Sequence, residues 1–399
     1  MDELAAASGL KPSSVSIALE ALRASGFAVG GRFEPERGEQ WCARRLLARI
    51  HAYTRERRRA AVRAVSQEEW QAFLESWWHV APGKQLHGRA GLAEVVEQLQ
   101  GYEWPAGEWE RIFAERVESY RPEWLDDLCL SGAVSWGRLS LLEPAAEGEE
   151  PASRWADKTP SRRTPITFML RQDLPWLLQA HRGAAIPAEP AGGCGREILD
   201  ALRENGALFH SDLQTLTDRP PSDVEQGLWD GVARGLVTAD GFNALRSLLG
   251  SRARFARRER PYPRPGPGRR ARWRHGAEGR WTLLPAAGLV EDPDELAEIA
   301  AWQLLSRWGV VFRDVYLREK LAVPWREIIW ALRRLEARGL IRGGHFVTGV
   351  TGEQFAEEST IPLLRGRRGR VSDRQSPARA EAGWDAVART TQADRHQGS

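Results

Sequence analysis

A four-fold internal repeat constrains the fold of this chain more than any other feature. Gly26, Gly132, Gly235 and Gly339 succeed one another at intervals of 106, 103 and 104 residues. Each closes a helical stretch with paired apolar residues: Leu19 and Leu22, Leu125 and Leu128, Leu228 and Val232, Leu332 and Leu335. A further apolar residue stands seven positions after each glycine, at Phe33, Leu139, Phe242 and Phe346. A long period of this kind means one supersecondary unit used repeatedly, so it takes precedence over local patterns. A helix stopped by a left-handed glycine, then a strand, a glycine-rich tip and a returning strand, is the closing half of a winged helix. Gly30-Gly31, Gly137, Gly241 and Gly343-Gly344 mark the expected wing tips. The expected class is therefore mainly α with small β-wings, an α+β array of tandem winged helices.

The opening halves are visible in the last two copies. Arg196 to Asn205 leads to Gly206, a short apolar run Ala207-Leu208-Phe209, and Ser211 as the expected cap of the next helix. Glu295 to Trp308 leads in the same way to Gly309, Val310-Val311-Phe312 and Asp314. In the second copy, Ser66 and Glu69 have the spacing of a capping box, and an extra helix is expected near Gly107 to Val117. The first copy begins at its second helix, which is the expectation for an internal start or a fragment of a longer protein.

Composition changes between the copies and sets the expected boundaries. Residues 1–38 form a partial winged helix and 39–65 a basic linking helix, with an apolar stripe of Leu46, Leu47 and Ile50 among arginines that include Arg44, Arg45 and Arg49. Residues 66–145 form a winged-helix-like module, and 146–191 a loop and β-rich connection with a strand near Ile166 to Leu170. Residues 192–250 and 293–358 are winged helices. The span 251–292 between them opens with eleven arginines against two glutamates over 251–280, broken by four prolines, and reads as an extended polybasic linker. Residues 359–399 read as a disordered tail.

Net charge is only +3, yet 53 of the 57 basic residues are arginine, the planar donor suited to forked phosphate contacts. Eighteen tryptophans fit either small cores anchored by large rings or bases stacked on exposed rings, core anchoring being the expectation for most. The cysteines, Cys42, Cys129 and Cys194, are too far apart for a paired thiolate site. No apolar run of about 18 residues is present to span a bilayer, and Met1-Asp2-Glu3-Leu4 does not open a signal peptide. A cytoplasmic chain without a membrane partner is expected.

Candidate nucleic-acid contacts follow from charge and position. In the fourth copy, Ile328, Ile329, Leu332 and Leu335 turn inward, leaving Arg326, Trp330, Arg333 and Arg334 on the outer side, with Arg342 in the wing. In the first, Lys11, Ser13 and Ser14 stand at a helix-turn-helix and Arg32 on the wing, a serine cap being the plainer use of either hydroxyl. In the linker, Arg269, Arg270, Arg272 and Arg274 surround Trp273, a pattern for following a single strand. No cofactor or metal site is expected. The one Gly-Lys pair, Gly83-Lys84, is followed by Gln85 and so does not make a phosphate-binding loop.

Four separated stretches resemble one family. Glu39-Gln40-Trp41-Cys42-Ala43-Arg44-Arg45-Leu46-Leu47-Ala48-Arg49-Ile50-His51, Trp124-Leu125-Asp126-Asp127-Leu128-Cys129-Leu130-Ser131-Gly132, Arg307-Trp308-Gly309-Val310-Val311-Phe312-Arg313, and Arg338 to Val347 with Gly352-Glu353-Gln354-Phe355 occur in the order found in the Lhr (large helicase-related) DNA helicases. The resemblance covers roughly residues 1–358 and is to the part that lies beyond the motor core. It implies a string of winged helices with a β-rich insertion, DNA as partner, and a helicase motor on the parent or a separate chain. The two RecA-like motor domains are absent from this sequence, so it is not expected to hydrolyse ATP alone. Two alternatives stand beside DNA binding. One is assembly, as a homo-oligomer or a clamp on the motor. The other is glycosylase chemistry of the kind found in some winged-helix enzymes, for which Glu353 and Gln354 are the nearest candidates.

Overall fold

The structure, a computed structural model, describes residues 2–34, 38–141, 162–246, 249, 279–285, 287–288 and 290–365. The tail beyond residue 365 lies outside it, as does the polybasic run with Arg269, Arg270, Arg272, Trp273 and Arg274.

The first module comprises α1 (Asp2–Ser8), α2 (Pro12–Ala24) and an antiparallel wing of β1 (Ala28–Gly31) and β2 (Gln40–Ala43). The expected basic helix thus starts later than its charge pattern suggests. Gln40–Ala43 belong to the wing, and α3 runs from Arg44 to Ala60. The capping box is present: Glu69 N–H donates to Ser66 Oγ at 3.1 Å, and Ser66 N–H to Glu69 Oε2 at 2.8 Å. It starts α4 (Gln67–Trp77).

Next come β3 (Leu86–His87), α5 (Gly88–Leu99), β4 (Trp104–Pro105), α6 (Trp109–Arg116), β5 (Val117–Glu118), α7 (Pro122–Leu130), β6 (Val134–Gly137), β7 (Pro165–Leu170) and α8 (Leu174–Arg182). β7 is the strand expected near Ile166, and it pairs between β4 and β6. β3 and β5 form a short parallel pair. The third module holds α9 (Cys194–Asn205), α10 (His210–Thr217), α11 (Pro221–Ala233), β8 (Val237–Ala239) and β9 (Trp281–Leu283). Phe209, and not Ser211, is the residue at the start of α10, where its N–H donates to Asp212 Oδ2 at 3.0 Å. The fourth holds α12 (Pro293–Trp308), β10 (Val310–Val311), α13 (Arg313–Tyr316), α14 (Trp325–Ala337), β11 (Ile341–Gly344), β12 (Gln354–Glu357) and α15 (Thr360–Arg365).

Gly26, Gly132, Gly235 and Gly339 all have positive φ, the backbone state that ends the preceding helix. The wings themselves depart from the expected tight hairpin. The returning strands are β2, β7, β9 and β12, so in the second and third modules they come from well downstream. Leu139, Phe242 and Phe346 are not on returning strands but are 0%, 1% and 2% exposed, each closing a core beside its wing. Phe242 begins a helical stretch.

Two cores account for most of the burial. One is continuous across the second and third modules, where Trp136, Phe168, Phe242 and Trp281 meet edge to face at 5.0–6.3 Å. Edge-to-face contacts of this kind add about 0.5–1.5 kcal/mol beyond area burial. The other belongs to the fourth module, and it includes Val65, Trp70, Phe73 and Leu74. The helix started by the Ser66 capping box therefore packs away from its own downstream neighbours, against a module that starts more than two hundred residues later. Gly309 shows how closely: a Cβ there would lie 2.7 Å from the Phe73 ring. The first module buries few side chains (Ala5, Val15 and Ala28), and α3 buries none.

Candidate nucleic-acid interface

The four repeat helices have different surroundings. α7 carries Glu123, Asp126 and Asp127, and α11 carries Asp223, Glu225 and Asp230. α11 is also enclosed, with Val224, Gly227, Leu228, Trp229, Gly231, Val232 and Ala233 all buried. Neither suits a polyanion. The two modules instead pack into a shared core that is locked by a buried arginine. Arg182 Nε donates to Leu139 O at 2.8 Å, and its Nη2 to Arg138 O and Gly235 O at 2.9 Å. Burial pushes this guanidinium down to about 10.

α14 is arranged otherwise. Ile328, Ala331, Leu332 and Leu335 are buried, whereas Arg326, Trp330 and Arg333, spaced i, i+4 and i+7, form an outward strip. The Arg326 guanidinium lies 5.2 Å from the Trp330 ring centre. Trp330 is 45% exposed, and it is the one exposed tryptophan among the described residues, the others serving cores and their margins. A flat ring beside a cation offers a base a stacking surface and its phosphate a counter-charge.

Not every cation named from the sequence joins this strip. Arg334 turns to the side, 3.2 Å from Asp294 at the start of α12. Arg342 faces inward, donating to Arg58 O at 2.9 Å and pairing with Glu358 at 3.3 Å, so it anchors α3 to the wing and does not stand free for a ligand. Arg333 is paired with Glu353, whose other oxygen takes Arg59 at 2.8 Å. Arg59 also pairs with Glu336 at the inner side of α14. These links fasten the end of α3 to the fourth module. Val65 N–H donates to Phe346 O at 2.8 Å and completes the attachment. Arg59 was legible only as one arginine in a basic helix, because its carboxylate partners lie 277 and 294 residues away.

α3 therefore bridges the first and fourth modules. Its 17 residues span about 25 Å, and Arg44, Arg45, Arg49, Arg55, Arg57 and Arg58 on it are exposed. In the first module Lys11 precedes α2 and Pro12 opens it, so Ser13 and Ser14 lie in the first turn and neither is the cap. Both serines, Lys11, and Arg32 beyond β1 are exposed.

The residues proposed for glycosylase chemistry are otherwise engaged. Gln354 is fully buried: its Oε1 accepts from Phe346 and Val347 N–H at 2.8 Å and its Nε2 donates to Val347 O at 2.9 Å. Glu353 is held between two guanidiniums. Among the described residues no group of three or more His, Cys, Asp or Glu is placed to hold a metal, and no helix is long and apolar enough to cross a membrane.

Helix, short strand, helix and wing, repeated along the chain, define a tandem winged-helix protein. Residues 290–376 and residues 65–152 each match a family model described as the winged-helix domain of large helicase-related protein. The chain is 31% identical over 379 residues to a protein of Mycolicibacterium smegmatis named Lhr helicase/probable uracil glycosylase, over 91% of this chain and 23% of that one. It is 31% identical over 307 residues to the Lhr helicase/uracil glycosylase of Escherichia coli, over 70% of this chain and 18% of that protein. The chain belongs to the large helicase-related family, and it spans less than a quarter of the length of these relatives.

Proposed function

We propose that this chain is a DNA-binding arm of a cytoplasmic Lhr-type repair helicase, with the motor supplied by further sequence of such a protein or by a separate chain, and with no ATPase of its own. The observation that carries this reading is the outward Arg326, Trp330 and Arg333 strip on α14, set against the acidic α7 and the enclosed α11. The exposed arginines of α3 extend the basic surface from the fourth module toward Lys11 and Arg32. Contacts of this type address phosphates and stacked bases, so binding is salt-sensitive and weakly selective for sequence. About seven neutralised phosphates give a log–log salt slope near −6 for duplex or −5 for single strands.

Fluorescence-anisotropy titration of the purified chain with single-stranded and duplex DNA at several salt concentrations tests the reading. The expected result is affinity that falls linearly in log–log form, and Arg44→Glu with Arg45→Glu and Arg49→Glu flattens the slope. Absence of binding at about 50 mM salt would remove it.

The first module also favours an assembly role. Leu4, Leu10, Ile17, Phe27 and Phe33 are exposed there, as are Leu46, Ile50 and Tyr53 on α3. Apolar surface gathered in this way suits contact with another polypeptide, the motor or a second copy. Sedimentation of the chain alone and with a motor fragment tests that role. A monomer that ignores the motor argues against it. Nothing in the placement of Glu353 or Gln354 supports glycosylase chemistry at those two residues.

A further inference from the structure

Glu353 sits immediately before β12, between two guanidiniums that are held very differently. Its Oε1 accepts from Arg59 Nη1 at 2.8 Å, and its Oε2 accepts from Arg333 Nε at 2.8 Å and from Arg333 Nη2. Arg59 has other support: Glu336 takes its Nε at 2.8 Å and its Nη2, and its guanidinium lies 5.7 Å from the Phe355 ring centre. Arg333 has no other ion-pair partner among the described residues, and half of its side chain is exposed on the outward strip.

The edge of Arg333 that Glu353 occupies, Nε with Nη2, is one that forks onto carboxylates and phosphates alike. We infer that Glu353 stands in for a backbone phosphate on Arg333, so that DNA reaches α14 by exchange: phosphate replaces the carboxylate, and Glu353 is left to Arg59. This inference rests on the DNA-binding reading above. Losing Arg333 does not leave the carboxylate unpaired, because Arg59 stays within reach and remains fixed by Glu336. Burial raises the Glu353 carboxyl, but the hydrogen bonds from Arg333 and Arg59 hold it below the usual carboxylate range, so it is charged at neutral pH.

The test is a double-mutant cycle read by DNA affinity. Glu353→Gln is expected to tighten binding by about two- to fivefold, the range for a partly exposed ion pair. In an Arg333→Ala background the same change gives only the smaller general effect of removing one negative charge. Equal gains in both backgrounds, or weaker binding by Glu353→Gln alone, would overturn the exchange while leaving DNA binding intact. A wild-type chain that binds no DNA would instead remove the reading on which the exchange rests. A measurement needing no variant uses the arginine Nε–H resonances of the wild-type chain. On DNA addition the Arg333 signal is expected to move and the Arg59 signal to stay, and the reverse pattern overturns the inference.

Discussion

Trp330 is the most exposed tryptophan among the described residues. The ring is 45% exposed, and the Arg326 guanidinium lies over it, 5.2 Å from its centre, so a base arriving there meets both a ring and a cation. Trp330→Ala is expected to weaken single-strand binding about tenfold, corresponding to the roughly 1–3 kcal/mol of a lost base stack, with only a small fall in the unfolding midpoint from the part of the ring that is buried. Anisotropy and a urea titration on the same sample check both halves. His181 is the opposite case, a buried ring at the junction of α8 with the fourth module. Burial pushes its imidazole below the ordinary value of 6.5; Arg307 adds to this, against Glu103, Glu319 and the Lys320 backbone. The folded ring is therefore neutral while the unfolded chain still protonates near 6.5. Above that pH neither state gains a proton, and as pH falls below it the unfolded state binds one more and stability declines, by at most about 1.4 kcal/mol per pH unit. Thermal midpoints from pH 8 to pH 5 should fall more steeply for wild type than for His181→Gln.

At the scale of elements, identical patterning leads to different roles. The apolar pairs and closing glycines show α7, α11 and α14 to be equivalent helices, and the structure bears that out. Which of them faces outward follows from their other positions: Arg326 and Arg333 on α14 against Asp223, Glu225 and Asp230 on α11. The outward placement of Arg326, Trp330 and Arg333 was legible from their spacing, whereas the enclosure of α11 depends on what packs around it. The partner of Arg342 was not legible, because nothing in its own module reveals that its guanidinium reaches Arg58 O on α3. The docking of α4 was equally hidden, since its capping box specifies where the helix starts and not what it packs against. Gly309→Ala tests this docking. A side chain there meets the Phe73 ring from a positive-φ position, and backbone strain with overpacking is expected to cost about 2–4 kcal/mol. Urea unfolding should show a lower midpoint, and a neutral result would place α4 elsewhere.

Over the whole molecule, buried polar residues tie segments together, and Arg307, Trp308 and Gln354 among them lie in stretches that carry the family resemblance. Arg307 is 3% exposed and pairs with Glu319 while donating to Gln100 O, and Trp308 Nε1 donates to the same Glu319 at 2.7 Å. Gln354 binds the turn that holds Phe346. Arg182 fastens the second module to the third by three carbonyls. Arg182→Met is expected to destabilise the chain by roughly 3 kcal/mol or more, because hydrogen bonds to a charged donor are lost and buried carbonyls are left without partners. DNA affinity of the folded fraction should stay unchanged, as read by calorimetry and anisotropy together. A large affinity loss would mean that the shared core of the second and third modules also contacts DNA.

The sequence by itself determined the repeat, the glycines that close its helices and the basic outer faces of α3 and α14. These depend on residue type and near-neighbour spacing: a glycine permits positive φ, and a leucine pair selects one helical face. Only the tertiary structure decided that the second and third modules share a core, that α4 joins the fourth, and that Glu353 lies between Arg59 and Arg333. Burial and ion pairing depend on which surfaces meet. For residues nearly three hundred positions apart, that is fixed by the packing of the whole chain and leaves no trace in local pattern.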